Sequence, residues 1–336
     1  MCFLLFVILF SCKKSSDSGN DNKVGIYVAG VEYSNLGTAS FMGKYWENGN
    51  SIDIALNSIL TSIVVSGNDV YLAGIQYKTG RPGTLATYWK NGVAVNLTDG
   101  SKEAHASAIA ISGTDIYVAG YEKTDTFFIA KYWKNNVAVN LSSGGSFANA
   151  IAVSGNDVYV VGEEYNGIRE IIKYWKNGVS FNLSNDSVIA GHASAICLSG
   201  TDVYVAGTEE NPVGFSRGKY WKNGIPVNIE EDSAMTACSS IAVSGSDVYV
   251  GGWEKFNNST HSDAKYWKNG IGVNLTDASK ASGCSSIVIS GNDVYCAGDE
   301  FNGTFFVAKY WKNGFEVNLS NASKSANAYS IFVTAH

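Results

Sequence analysis

Residues 150–183 read AIAVSGNDVYVVGEEYNGIREIIKYWKNGVSFNL. Four short β-type runs stand out, each bounded by turn residues: Ala150 to Val153, Asp157 to Val161, Ile172 to Trp175 and Val179 to Leu183, called strands a, b, c and d below. Ser154-Gly155-Asn156-Asp157 forms a tight glycine-containing turn between a and b. Asn177-Gly178 joins c to d, and both residues suit the positive φ that a two-residue hairpin turn demands. The departure in another copy, Asn135-Asn136, uses the other residue type that tolerates that region.

The same order recurs from Val24 onward. The strand-b tyrosine returns as Tyr27, Tyr71, Tyr117, Tyr159, Tyr204, Tyr249 and Tyr295, and the strand-c tryptophan as Trp46, Trp89, Trp133, Trp175, Trp221, Trp267 and Trp311. Both markers count seven, at a spacing of roughly 45 residues, the range of four-stranded propeller blades. The first copy lacks strand a and begins at Gly25-Ile26-Tyr27-Val28-Ala29-Gly30, whereas Tyr329-Ser330-Ile331-Phe332-Val333 is a strand a with nothing after it. A stacked row of units leaves exposed edges at both ends, but a ring in which the last strand pairs beside the first leaves none. The expected fold is therefore all-β: a seven-bladed β-propeller over residues 24–336, built of four-stranded antiparallel blades and closed by pairing the C-terminal strand with the N-terminal blade.

The order of small-residue strand, tight turn, Ile-Tyr-Val-x-Gly strand, variable loop, Tyr-containing strand and outer strand resembles the kelch-type propeller repeat. Two features depart from it: a Gly-Gly doublet ends strand b only at Gly251-Gly252, and the Trp lies on c instead of d. The resemblance implies a fold and no particular activity, because propellers host many functions.

With 45% hydrophobic residues, 36 Gly and only 3 Pro among 336, the chain is too apolar for disorder. A formal net charge of −6 excludes a protein built to hold nucleic acid by counterion release. At the N-terminus, residues 3–10 form an uncharged apolar run, far short of the roughly 20 residues a spanning helix needs, so residues 1–11 read as a signal peptide. Leu9-Phe10-Ser11-Cys12 resembles the lipobox of bacterial lipoproteins, although no Lys or Arg precedes the apolar run. The resemblance implies lipidation at Cys12, membrane contact through that anchor only, and a bacterial outer-membrane address with the propeller at the cell surface. A plain secretory signal with an incidental Cys is the alternative. Residues 12–23 hold no aliphatic or aromatic side chain before Lys23 and read as a polar tether, similar to those of Bacteroidetes surface lipoproteins. Cys197, Cys238, Cys284 and Cys296 fall inside repeat strands, where burial as small hydrophobes is expected instead of disulfides.

Comparing copies exposes a pair. The second residue past the glycine closing strand b is Glu32, Gln76, Glu122, Glu164, Glu209, Glu254 or Glu300, and the residue before Tyr-Trp is Lys44, Thr87, Lys131, Lys173, Lys219, Lys265 or Lys309. The copy that loses Glu also loses Lys, which points to a Glu–Lys contact between strands b and c.

Alternating strand direction sends the a–b and c–d turns to one face, the turn face, and the b–c and d–a connections to the other, the loop face. The loop face carries the variation, so any binding site is expected there, near the mouth of the central channel. Its aromatic candidates include Tyr33, Tyr77 and Phe128, with Trp253, Phe256, Tyr121, Tyr165 and Phe301 as the expected ligand-binding residues. His105 and His192 share one repeat position in blades two apart, but a metal needs three or four converging ligands and none is expected. No pattern calls for a cofactor, and no linear catalytic motif occurs. Glu230-Glu231-Asp232 reads as a solvated acidic turn, and Asp186-Ser187-Val188 and Asp232-Ser233-Ala234 are similar to O-glycosylation sites of Bacteroidetes exported proteins. Two functions remain open: a non-enzymatic binder of a glycan or protein at the cell surface, and a polysaccharide-active hydrolase or lyase whose carboxylates come from separate loops.

Overall fold

The computed structural model describes residues 24–34, 40–78, 80, 83–184, 190–211, 214–229, 234–256 and 259–334. Those residues form seven four-stranded antiparallel sheets arranged as a ring, with no helix among them. Blades 2 to 7 run a, b, c, d in chain order from the channel outward. Blade 1 is composite: the C-terminal strand Ala326–Thr334 lies beside Gly25–Tyr33, which pairs with Phe41–Glu47 and then Asn50–Leu56. The closing register runs from Gly25 opposite Thr334 to Glu32 opposite Ala326. The ring is thus closed by hydrogen bonds between the two ends of the chain, as the unpaired strand a in the sequence requires.

The c–d hairpins form as their residues dictate. Asn177 and Gly178 have φ of 50° and 82°, and Asn135 and Asn136 have 49° and 70°. Each turn Asn does a second job: Asn91 Oδ1 accepts from the Val70 N–H at 2.9 Å while its Nδ2 donates to Asp69 Oδ1 at 2.7 Å.

Hydrophobic burial is divided among seven seams between blades. All seven strand-c tryptophans are at most 1% exposed. Trp133 packs on Tyr71, Ala73, Ala86 and Tyr88 of the preceding blade, and Trp175 on Tyr117, Ala119, Ala130 and Leu141. Trp46 does the same across the closing seam, against Tyr295, Ala297, Ala308 and Leu319. The indole N–H of Trp175, Trp221, Trp267 and Trp311 has no acceptor among the described residues. Burying roughly 200 Å² of ring yields about 5 kcal/mol, which exceeds the roughly 1–3 kcal/mol of an unmet donor. Cys197, Cys238, Cys284 and Cys296 are free thiols packed in these strands, and burial pushes the Cys238 and Cys296 thiols well above the usual range.

The Glu–Lys pairs form in six blades, at Glu32–Lys44, Glu122–Lys131, Glu164–Lys173, Glu209–Lys219, Glu254–Lys265 and Glu300–Lys309. The two side chains are diagonal neighbours, since Lys44 lies opposite Gly30 and not opposite Glu32. In three of these blades, at Lys131, Lys265 and Lys309, the lysine also caps the tryptophan two residues on, with Lys309 Nζ 5.8 Å from the Trp311 ring centroid. In blade 2 the buried Thr87 hydroxyl instead meets Asn96 Oδ1 at 3.2 Å.

Removing one partner strands a charge at a seam. Glu209→Gln, which leaves a Lys219 side chain only 17% exposed without its carboxylate, is expected to cost about 2–3 kcal/mol by urea denaturation. Adding Lys219→Thr, the blade-2 solution, should recover at least half of that loss.

A bulge in strand a of every blade was not visible in the sequence. The extra residues are Thr61, Ser107, Asn149, Ser194, Ser239, Ser285 and Tyr329. The bulge drives a carbonyl toward the glycine that the repeat places in strand b. A Cβ on Gly30, Gly74, Gly120, Gly162, Gly207, Gly252 or Gly298 would lie 1.9–2.3 Å from that oxygen. The recurring glycine is a steric requirement of the bulge.

Candidate functional site: the loop-face mouth of the channel

Strand b does not end at its glycine. It runs three or four residues further, as in Asp115–Lys123, Asp157–Tyr165 and Asp247–Phe256. Tyr121 and Trp253, expected in loops, are therefore strand residues, and Tyr165, Phe256 and Phe301 are the last residues of their strands. The first position past the glycine carries seven different side chains: Val31, Ile75, Tyr121, Glu163, Thr208, Trp253 and Asp299. Each stands opposite a strand-a position that holds six residue types, so that Tyr121 faces His105, Thr208 faces His192 and Trp253 faces Ala237.

These side chains leave their blade on the side away from its own tryptophan and reach the inner strand of the next blade. Glu163, 6% exposed, places Oε1 3.2 Å from His192 Nδ1, and its Oε2 accepts from Asn149 Nδ2 at 2.8 Å. The same Asn149 amide donates to the Ala193 carbonyl at 2.8 Å, so the bulge residue of blade 4 is tied to blade 5. Below it, a cavity of about 360 Å³ opens in the channel, lined by the bulge residues Ser107, Asn149, Ser194 and Ser239 with His192, Thr208, Ala237 and Cys238.

On the adjoining arc the Tyr121 hydroxyl and His105 Nδ1 are hydrogen-bonded at 2.9 Å, and His105 Nε2 lies 3.5 Å from Glu103 Oε1. Phe128 and Phe147 meet the Tyr121 ring edge to face at 5.3 and 4.9 Å. The two histidines share a repeat position but titrate in opposite directions. Burial pulls His105 below the usual value, more strongly than Glu103 raises it. Burial acts on His192 too, yet the hydrogen bond and charge of Glu163 outweigh it and hold the imidazole above the usual value. Burial, with Glu103 and Glu163 nearby, pushes the Tyr121 phenol up to about 12, so it remains a neutral donor.

Trp253 is half-buried and its ring lies against Gly283 of blade 7. Tyr165, 53% exposed, donates to the Gly167 carbonyl at 3.0 Å; Phe256 is exposed, and Phe301 packs on Phe306 at 5.3 Å. The five expected residues stand on blades 3, 4, 6 and 7 around the rim and do not form one patch. Sequence reading missed Glu163, Asn149 and Asp299. No group of three His, Cys, Asp or Glu among the described residues is placed to hold a metal. Cys12, Asp186-Ser187-Val188, Glu230-Glu231-Asp232 and Asp232-Ser233 lie outside the described residues.

Asp299 supplies a pH dependence. Burial raises its carboxyl to about 6 against the opposing hydrogen bond from Asn327 Nδ2 at 2.9 Å. The folded form then keeps a proton that the unfolded chain gives up near the ordinary value of about 4, so stability falls as pH rises from about 4 through about 6. Asp299→Asn is expected to stabilise the fold at pH 8 by up to about 3 kcal/mol, seen as a raised Tm, and to leave Tm unchanged at about pH 3, below both the folded and the unfolded pKa.

No protein-family model matches the chain, and no curated protein matches it. Among solved structures it is similar to Pyrococcus horikoshii acylaminoacyl peptidase, at 13% identity and a TM-score of 0.55 over 88% of this chain and 50% of that one. It is also similar to TolB from Acinetobacter baumannii, at 10% identity and a TM-score of 0.51 over 91% of this chain and 82% of that one. This chain spans about half the length of the peptidase. At such identities the likeness shows a shared fold and nothing about activity, and the fold is the closed seven-bladed propeller described above.

Proposed function

We propose that the protein is a cell-envelope lipoprotein, anchored at Cys12 in the bacterial outer membrane, whose kelch-like propeller binds a glycan at the loop-face mouth of its channel. One observation carries this reading: hydroxyl and amide groups of Ser107, Asn149, Ser194 and Ser239 line a single channel cavity with His192. Tyr121 on blade 3 and Trp253 on blade 6 occupy the ring position immediately past the strand-b glycine, on opposite sides of the mouth. Saccharides are recognised by this combination of convergent hydrogen-bond groups and flat aromatic surface.

Glycan-array binding of the soluble chain from Lys23 onward tests it. Saturable binding to a saccharide class is expected, with at least a tenfold loss in Trp253→Ala and in Asn149→Ala. Absence of any saccharide binding would shift the assignment to a protein partner on the same face. Cys12→Ser is expected to release the full chain from the membrane fraction.

A specific feature supports a second reading. Glu163 backs His192 at the cavity wall, an arrangement that orients an imidazole for proton transfer. A polysaccharide-active hydrolase or lyase would draw on this pair, and turnover lost in Glu163→Gln with binding retained would establish it.

A further inference from the structure

The turn face repeats an internal cation site. In blades 2 to 7 the lysine after the tryptophan places its ammonium 2.8–2.9 Å from the aspartate that begins strand b. The same ammonium sits 5.1–5.3 Å from the centroid of the strand-b tyrosine. Six blades therefore show what this position accommodates: an alkylammonium between an aromatic face and a carboxylate.

Blade 1 breaks both halves of the arrangement. Glu47 stands where the other blades have lysine, and Gly25 where they have aspartate. Closure explains the glycine. Gly25 pairs with Thr334 of the C-terminal strand, and a Cβ there would lie 2.6 Å from Thr334 Oγ1 and 2.9 Å from Tyr27 Cε2. The turn itself is kept, since Asn48 Oδ1 still accepts from the Ile26 N–H at 3.0 Å. The tyrosine ring is kept as Tyr27, whose hydroxyl is hydrogen-bonded to Glu47.

At this seam, between blades 1 and 2, lies a cavity of about 510 Å³ walled by Tyr27, Tyr45, Glu47 and Asp53 on its polar side. Ile52, Ile54 and Val65 supply apolar walls. The seam has the aromatic face and a carboxylate in place of a lysine, together with room for an alkyl stem.

We infer that this cavity binds a primary alkylammonium, with its headgroup between Glu47 and the Tyr27 ring and its stem along Ile52, Ile54 and Val65. The site is on the turn face and is independent of the loop-face reading. Two sources carry this chemistry: a lysine among Lys13, Lys14 and Lys23 of this chain, and an external amine.

The test is calorimetric titration of n-butylammonium into the full chain, with n-butanol as the neutral isostere. Saturable binding of the amine alone is expected, weakened at least tenfold in Glu47→Lys. That variant restores the lysine of the other six blades over the Tyr27 ring, though not its aspartate partner, and so fills the site with its own ammonium; an unchanged melting temperature separates loss of binding from loss of folding. Glu47→Gln, which adds no cation, should also weaken binding. A chain carrying Lys13→Gln, Lys14→Gln and Lys23→Gln distinguishes the sources: at least threefold tighter binding identifies the chain's own lysine as the occupant, and unchanged affinity identifies an external amine. Equal binding of n-butanol, unaltered binding in Glu47→Lys, or no binding in either the wild-type or the triple-substituted chain would overturn the inference.

Discussion

A chain ending at residue 324 is expected to lose its cooperative thermal transition, or to melt at least 20 °C lower, and to aggregate. The truncation removes only the inner strand of blade 1, Ala326–Thr334, yet that strand serves two seams and one sheet. Ala326, Ala328 and Val333 are fully buried and Ile331 is 6% exposed. The two large aliphatics contribute about 1.5–3 kcal/mol each, and the loss extends to the Trp46 seam and to the ladder along Gly25–Tyr33. The sum is on the order of the 5–15 kcal/mol by which a whole domain is stable. The deletion also bares an inner-strand edge able to pair with other chains. A synthetic peptide of residues 325–336 added in trans should restore the transition. Melting within a few degrees of the full chain would show that closure contributes little.

The second large effect comes from a single methyl group. Gly298→Ala places a Cβ 1.9 Å from the Gly283 carbonyl oxygen and 3.0 Å from its carbon, and both obstacles are backbone. Relief requires expelling the Ser285 bulge, which shifts the inner strand of blade 7 against the channel. A cost of about 3 kcal/mol or more is expected, seen as a Tm lowered by roughly 5–10 °C. Gly144→Ala is the control, because its nearest heavy atom is Glu164 Oε1 at 3.9 Å; it should change Tm by less than 1 °C, within the roughly 0.5 kcal/mol of an ordinary surface substitution. A Gly298→Ala chain as stable as wild type would mean that the bulge is not fixed.

The architecture was legible because it is written seven times. Asn-Gly pairs carry their turn geometry in their residue types, the solitary strand a at the C-terminus specifies closure, and the joint loss of Glu and Lys at Gln76 and Thr87 marks a contact without coordinates. The same reasoning applies to Gly25 and Glu47, which jointly replace the Asp and Lys of the other copies on the turn face, but that pair went unread. The bulges stayed hidden because one inserted residue resets the in-and-out alternation of a strand without leaving a turn signal. Tyr121 and Trp253 were assigned to loops because strand b continues past a glycine that looks like a terminator. Glu163 and His192 are 29 residues apart and meet only across a seam, so no local pattern joins them. The available signal was compositional: one position, flanked by an unvarying glycine and a nearly unvarying glutamate, that never repeats a residue.

That position separates recognition from folding. Its seven side chains are held by backbone whose glycine, bulge and ion pair are set by the neighbouring positions, so a single exchange there alters what the mouth presents while the tryptophan seams persist. The ring therefore behaves as a set of independently replaceable contacts on a constant frame, and new ligand preferences are accessible through isolated codon changes, with no insertion, deletion or compensating repair elsewhere.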